Sequence, residues 1–239
     1  MKIKTLILAF GLLVLPGLPD LYSQQVSIVE YLANCERKYG SDADLVNGEK
    51  YFYPYIQSQG DPFFLSEPRA SEITIEGKEF SGQELRYDLF NQQLVLDYTD
   101  LYGATSSLIL RNEWIESFSL EAYFFKKMRG PDGETGYFQV VFEGAVSCVY
   151  FWRKEYLLNL ASGVREYYFT DPTKVSFLVI GEEFRSYRGN SSFLKLFDSE
   201  PQKAIKQFLR QSKIKVKKAS DSQMHHLIEY CNSLSYENS

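Results

Sequence analysis

The chain has 239 residues with a formal net charge of -5, and aromatic residues make up 16% of it. The negative charge gives the chain as a whole no reason to seek nucleic acid. The three cysteines, Cys35, Cys148 and Cys231, are too widely spaced for a zinc motif. The sequence also lacks a glycine-rich phosphate loop and any HExxH, CxxC or GxSxG motif, so none of the enzyme classes marked by these motifs is indicated.

The start of the chain has the organisation of a signal peptide. Two lysines precede an apolar run from Thr5 to Leu15, which is too short to cross a bilayer because a spanning helix needs roughly 20 apolar residues. Ser23 is a small residue suited to the position before a cleavage site. We therefore predict a signal peptide over residues 1–23, cleavage before Gln24, and a periplasmic or secreted mature protein.

The remaining residues, 24–239, are predicted to form a single globular domain with three successive parts. Residues 24–70 form a helical and irregular lead-in, residues 71–188 an antiparallel β region, and residues 190–235 a group of C-terminal helices. In the lead-in, apolar residues at helical spacing predict a helix over Gln25 to Tyr39.

The middle of the chain shows the period-two alternation of β-strands. Ile73 and Ile75 alternate with polar residues, and Leu85, Tyr87 and Leu89 lie on one face of a later strand. We predict about nine strands, arranged as a curved antiparallel sheet, a half-barrel or a sandwich. A two-residue hairpin turn is expected at Asn91-Gln92, although Gln is a poorer turn residue than Gly.

The C-terminal part shows helical spacing of apolar residues. Ser199 and Ser220 are suited to cap two of the helices. We expect these helices to pack on the β region through Leu194, Phe197, Ile205, Phe208, Leu209 and Leu227. The fold class expected for the whole chain is mainly β with C-terminal helices, an α+β arrangement.

Several short motifs resemble those of a family of uncharacterised, signal-peptide-bearing exported proteins of Bacteroidota-type bacteria. The motifs are Asn47-Gly48 followed by Tyr51, then Gly60-Asp61-Pro62-Phe63-Phe64, Leu85-Arg86-Tyr87-Asp88, Leu194-Lys195-Leu196-Phe197 and Asn232-Ser233-Leu234. The resemblance covers most of the mature chain and implies export. It implies no activity, cofactor or site residue.

The strongest indication of a binding site is an aromatic segment, residues 51–64, in which six rings fall within fourteen residues. Loops avoid such a density of rings unless they cover a core or bind something. We predict ligand-binding roles for Tyr51, Tyr53, Tyr55, Phe63 and Phe64. The alternative is that the segment is a lid that closes one end of the sheet.

Acidic residues near aromatic residues indicate a second kind of site. They are Glu113, Glu116 and Glu121 near Trp114, and Asp97 and Asp100 on either side of Tyr98. Two carboxylates beside rings suit glycoside hydrolysis if they face each other across a cleft, although acids at strand edges are usually solvated. The only histidines, His225 and His226, are neighbours on a predicted helix. Their side chains diverge by about 100°, so we do not expect them to face one ligand or metal ion together.

In an oxidising compartment, three cysteines predict one disulfide, which we assign to Cys35 and Cys148, and one remaining thiol. The alternative is three buried small apolar residues. Basic residues cluster at Lys203, Lys206, Arg210, Lys213, Lys215, Lys217 and Lys218. This cluster suits an anionic lipid or an acidic partner, or is simply the polar face of an amphipathic helix.

The sequence thus predicts an exported envelope protein that is a non-enzymatic binding or scaffolding module. The expected partner is an envelope lipid, glycan or protein, and no cofactor is expected. The alternative is a carboxylate-based hydrolase that acts on glycans or cell-envelope material.

Overall fold

A computed structural model describes Leu45 and residues 48–99, 103–160 and 165–236. The predicted signal peptide, the predicted lead-in helix, Cys35 and Asp100 lie outside the described residues. The described part is mainly β, with thirteen strands and three helices near the C-terminal end. The predicted fold class is therefore confirmed, with more strands than the alternation alone suggested.

The strands are β1 (Gly48–Lys50), β2 (Arg69–Ile75), β3 (Lys78–Asp88), β4 (Gln93–Thr99), β5 (Thr105–Leu110), β6 (Ile115–Leu120), β7 (Tyr123–Arg129), β8 (Thr135–Phe142), β9 (Val146–Arg153), β10 (Tyr156–Asn159), β11 (Glu166–Phe169), β12 (Thr173–Ile180) and β13 (Glu183–Tyr187). Eleven of them form one antiparallel sheet in the order β1-β5-β4-β3-β2-β6-β7-β8-β9-β12-β13. Strands β10 and β11 form a separate antiparallel pair, which lies in the sequence between β9 and β12.

The connection between β5 and β6 explains why the sheet is curved. Because β6 pairs with β2, four strand-to-strand steps separate β5 from β6. In a flat sheet these steps would span about 19 Å, at about 4.8 Å each. Only residues 111–114 connect the two strands, and they are folded into a turn in which the Trp114 N–H donates to the Arg111 carbonyl at 3.1 Å. The sheet must therefore curl until β5 and β6 approach each other, and it forms a half-barrel.

The inside of this curl is filled by the first apolar core. Most of its buried members come from β2 to β8 and include Ile73, Leu85, Tyr87, Leu94, Leu96, Leu110, Ile115, Phe118, Phe125 and Tyr137. In β3 these core side chains come from alternate positions, such as Leu85 and Tyr87, as the sequence alternation predicts. The rings of Tyr87, Phe118 and Tyr137 meet edge to face at 5.2–5.8 Å between ring centroids.

The turn between β3 and β4 differs from the predicted two-residue hairpin. Strand β3 ends at Asp88 and β4 begins at Gln93, so four residues form the turn. The Asp88 carboxylate is fully buried and accepts the backbone N–H groups of Phe90 and Asn91. Gln92 takes a positive φ of 54°. The predicted two-residue turn at Asn91-Gln92 is wrong, because the buried Asp88 carboxylate accepts the N–H groups of the following residues and directs a four-residue turn.

The helices are α1 (Asn190–Leu194), α2 (Ser199–Gln211) and α3 (Asp221–Tyr236). They form a second core with the face of β9, β12 and β13, which confirms the predicted packing: Ile205, Leu209 and Leu227 are buried, and Leu194, Phe197 and Phe208 are partly buried. Ser220 caps α3, because its hydroxyl oxygen accepts the Gln223 N–H. The predicted cap at Ser199 is wrong, because Asp198 occupies the cap position and Ser199 is already helical.

Candidate functional site

The aromatic segment is an irregular strap held to the sheet at both ends. At its start, the Tyr51 N–H donates to the Ser107 carbonyl at 2.8 Å. At its end, the Phe64 N–H donates to the Tyr87 carbonyl at 2.8 Å. The Lys154 ammonium donates to the Asp61 carbonyl at 2.8 Å and so fixes the middle of the strap to the end of β9. Its backbone groups therefore find the partners that an irregular segment needs.

The inner rings of the strap, Phe63 and Phe64, pack against side chains of the sheet. Phe63 is only 2% exposed, and its ring lies 4.5 Å from the Arg86 guanidinium and 6.2 Å from the Tyr51 ring. Phe64 packs on Phe125 and Trp152, with ring centroids 5.3 Å apart in both pairs. These contacts match the alternative prediction of a lid for this half of the segment.

The outer rings of the strap have different neighbours. Tyr55 lies at the centre of a group of rings, within 4.9–6.2 Å of Tyr53, Phe90, Tyr156 and Phe169. Tyr167 extends the group by stacking on Tyr156 at 5.2 Å. We call this set the aromatic platform: Tyr53, Tyr55, Phe90, Tyr156, Tyr167 and Phe169. Of the five predicted ligand-binding residues, the structure thus brings only Tyr53 and Tyr55 into the platform.

The hairpin β10–β11 completes the platform. Its register places Tyr156 opposite Phe169 and Leu158 opposite Tyr167, so these four side chains share one face of the hairpin. The strap runs along the β11 edge of this hairpin. The Gln59 N–H donates to the Tyr167 carbonyl, and the Phe169 N–H donates to the Gln59 carbonyl. Strand β10 and its contribution to the platform were not predicted from the sequence. The consecutive apolar residues Leu157 and Leu158 were the available signal.

The segments that build the platform carry most of the large apolar side chains that face solvent in the described residues. The described residues contain eight exposed large apolar side chains, and seven of them lie in the strap, the β3–β4 turn or the β10–β11 hairpin. They are Phe52, Ile56, Phe90, Leu157, Leu158, Leu160 and Tyr167. Ile56 is 85% exposed and Leu160 is 67% exposed. A concentration of this kind marks a binding surface.

The polar groups of the platform are bound to one another. Ser58 Oγ and the Tyr156 hydroxyl are 2.8 Å apart, and Gln59 Nε2 donates to the Glu166 carboxylate at 2.7 Å. Asn91 Nδ2 donates to the Asp88 carboxylate at 2.8 Å and reaches the Tyr55 hydroxyl at 3.3 Å. These groups fix the rings and leave an apolar outer surface.

The candidate catalytic acids are engaged separately. Asp97 accepts from Arg86 Nη2 at 2.8 Å and from the Ser107 hydroxyl, in a largely buried position. Glu121 pairs with Arg69 at 2.7 Å, and Glu116 accepts the Gly77 N–H at 3.0 Å. Asp97 is therefore already neutralised by a guanidinium, and the two glutamates stabilise a strand pair and a turn.

Cys148 and Cys231 are buried thiols in the second core. The Cys148 Sγ lies 3.2 Å from the Tyr187 hydroxyl. Burial raises the pKa of Cys148 to about 11 and the pKa of Cys231 to about 12, and it also raises the pKa of Tyr187. Both thiols are therefore neutral and unreactive at ordinary pH. Because Cys35 lies outside the described residues, its disulfide with Cys148 stays a prediction.

The two histidines are closer than their helical positions indicated. Ligand atoms of His225, His226 and Glu229 all lie within 4.8 Å of one another, and His226 Nδ1 is 3.4 Å from the Glu229 carboxylate. The expectation that neighbouring histidines cannot approach a shared point was wrong, because the side chains are long enough to converge towards Glu229. All three side chains are exposed, and His225 packs against the Phe142 ring at 5.0 Å.

Comparison of the chain with protein-family models, with curated proteins and with solved structures gives no match. Among the described residues, no helix has both the length and the apolar character needed to cross a membrane.

Proposed function

We propose that this protein is an exported, non-enzymatic binding module that holds an acyl chain of an envelope lipid on the aromatic platform. The observation that carries the proposal is that seven of the eight exposed large apolar side chains of the described residues lie in the three segments that build the platform. Burying apolar surface gains about 25 cal/mol per Å², so this surface offers a binding energy that the free protein does not use.

The side chains in the segments that build the platform favour an acyl chain over a glycan as the ligand. A sugar needs hydrogen-bonding groups beside the ring on which it stacks. The side chains of Ser58 and Asn91 already bond to the hydroxyls of Tyr156 and Tyr55, and that of Gln59 bonds to Glu166. The most exposed apolar side chains of these segments also include the aliphatic residues Ile56 and Leu160. Branched aliphatic side chains contact methylene groups well and have no specific contact to offer a sugar hydroxyl.

The test measures binding of a neutral fluorescent monoacylglycerol, whose headgroup carries no charge. Ile56→Asn combined with Leu160→Asn should weaken binding at least about 10-fold, because each change removes apolar contact area. The double variant should melt near the wild-type temperature, since both side chains are exposed.

Two phenylalanines provide a matched control. Phe90 is 41% exposed in the platform, and Phe124 is 43% exposed on β7. Phe90→Ala should weaken binding of the acylglycerol, and Phe124→Ala should leave it unchanged. Equal effects of the two changes, or no binding by the wild type, would overturn the proposal. Binding to purified peptidoglycan sacculi without binding to the acylglycerol would show that the ligand is a glycan and not a lipid.

Export is a separate part of the proposal. It is supported by the two lysines, the short apolar run and Ser23 at the start of the sequence. N-terminal sequencing of the protein recovered from the envelope or medium should begin at Gln24. A mature protein that retains residues 1–23 would contradict this part without affecting the platform.

A further inference from the structure

A cleft opens in the helical layer between α1, α2 and the loop that follows α2. Its volume is about 400 Å³, and its apolar lining is Leu194, Leu209 and Ile214. The loop is fixed by Asn190, which donates to the Ile214 carbonyl at 3.1 Å and accepts the Val216 N–H at 2.8 Å. The Ile214 N–H also donates to the Leu209 carbonyl at 2.9 Å. The cleft is therefore built by specific bonds, which hold its floor in place.

Four cationic side chains line this cleft: Lys206, Arg210, Lys213 and Lys215. None of the eight residues that line it is acidic. Within the part of the chain that the structure describes, none of the four side chains forms an ion pair or a hydrogen bond. Lys203 on the same helix differs, because it pairs with Glu200 at 3.3 Å. Four cations without an ion pair therefore line one cleft.

The charge around the cleft is opposite to that of the whole chain. Residues 188–218 contain nine lysines and arginines and only two acids, Asp198 and Glu200, whereas the chain carries -5. The potential near the cleft is therefore positive and is not cancelled locally. The sequence pattern alone left open whether this cluster was merely a solvated helix face. Its arrangement around an apolar floor favours a binding site.

We propose that this cleft binds the phosphate headgroup of an anionic lipid at a membrane surface. Phosphate carries the charge that several converging cations neutralise, and a guanidinium offers two parallel donors to it. The apolar floor then contacts the first methylene groups of the acyl chains. A soluble acidic peptide would match the cations and leave the apolar floor unused. The proposal does not rest on the aromatic platform, which is a separate surface of the protein.

The experiment uses the mature protein and two kinds of vesicle in a flotation assay. One vesicle is phosphatidylcholine alone, and the other contains roughly a third phosphatidylglycerol as its anionic lipid. We expect binding to the anionic vesicle only, and we expect it to fall steeply as salt rises from about 0.05 M to about 0.5 M. Absence of binding to the anionic vesicle at low salt would overturn the proposal.

Matched double variants locate the site. Lys206→Gln with Arg210→Gln removes two cations from the cleft, and Lys126→Gln with Arg185→Gln removes two from β7 and β13. The cleft variant should lose about 25-fold in vesicle affinity, at roughly fivefold per cation. The control variant should keep its affinity, and both should stay folded because surface ion pairs contribute little. Equal losses in the two variants would mean that only total charge matters, which overturns the site.

Free phosphate distinguishes a lipid site from a general anion site. Inorganic phosphate and chloride are compared as competitors at equal ionic strength. Because the cleft binds the phosphate group, phosphate should release the vesicles more effectively than chloride, and because it also uses its apolar floor, Leu194→Asn should weaken vesicle binding. Release by phosphate alone, together with unchanged vesicle binding after Leu194→Asn, would show that the cleft recognises phosphate without lipid and would overturn the proposal.

Discussion

The side chain of Asn232 forms both hydrogen bonds that the backbone of Val146 would otherwise make with a neighbouring strand. Its Oδ1 accepts the Val146 N–H at 2.9 Å, and its Nδ2 donates to the Val146 carbonyl at 2.8 Å. Asn232 is 7% exposed and Val146 is 6% exposed. A side chain on α3 therefore completes the hydrogen bonding at the start of β9.

Asn232→Ala should lower the free energy of unfolding by about 2–3 kcal/mol, because it leaves a buried N–H and a buried carbonyl without partners. Urea denaturation would measure this change. Ser233→Ala is the control, since that hydroxyl is exposed and bonds only within α3. A loss below about 0.5 kcal/mol for Asn232→Ala, the range typical of surface changes, would contradict the anchoring role.

The packing of α2 predicts different costs for two neighbouring apolar side chains. Ile205 is fully buried in the second core, whereas Phe208 is partly buried and stacks on Tyr230 at 4.4 Å. Ile205→Ala should therefore cost about 2–5 kcal/mol, and Phe208→Ala should cost less than the 3–5 kcal/mol typical of a fully buried ring. Thermal denaturation of the two variants checks this order. The opposite order would mean that α2 packs through its other face.

In the reduced protein, the buried thiol of Cys148 should make the fold less stable at alkaline pH. Its pKa is about 11 in the folded protein, above the ordinary value of 9. The unfolded chain therefore loses this proton first, and it binds fewer protons than the folded protein between the two values. The free energy of unfolding then falls with rising pH, by up to about 1.4 kcal/mol per pH unit in that window.

Urea denaturation of the wild type and of Cys148→Ala isolates this contribution. The stability difference between the two proteins should shrink as the pH rises from about 8 to about 11, since only the wild type carries the thiol. A difference that stays constant with pH would contradict a buried neutral thiol. Titration of thiols in the unfolded, unreduced chain separately tests the predicted disulfide of Cys35 and Cys148.

A turn between β2 and β3 can be improved. Glu76 and Gly77 are its two central residues, and both have positive φ, at 48° and 76°. Turns of this kind prefer Asn before Gly. Glu76→Asn should raise the free energy of unfolding by about 0.5 kcal/mol, because Asn tolerates the left-handed region better than Glu.

Gln92 offers the contrasting case. It has a similar positive φ of 54°, but its side chain donates to the carbonyls of Leu89 and Trp152 and accepts from the Tyr87 hydroxyl. Gln92→Asn should therefore lower stability, since a shorter side chain cannot make all three bonds. Stabilisation by both changes would show that backbone strain outweighs the bonds at Gln92.

The sequence predicted the elements whose apolar side chains are buried. Alternation in β3 follows from its inward-facing Leu85 and Tyr87, and the spacing in α2 follows from Ile205 and Leu209. The same rule could not predict the hairpin β10–β11, because Leu157 and Leu158 are adjacent and both are exposed. Only Tyr53 and Tyr55 of the six platform residues were predicted for this reason. Its outer rings follow from contacts more than a hundred residues apart, such as that between Tyr55 and Tyr156.

The order of the strands also determines which part of folding is slow. Most neighbouring strands in the large sheet are close in sequence, but two pairs are not. In the middle of the sheet, β2 pairs with β6 by joining Ile73 to Phe118 across 45 positions, and at its edge β1 pairs with β5 by joining Gly48 to Leu110 across 62 positions. Closing so long a loop costs chain entropy before its contacts can compensate. Hairpins such as β12–β13 form locally and early by comparison. The folding rate should therefore depend on the meeting of Ile73 with Phe118, which turns a flat ribbon of hairpins into a half-barrel.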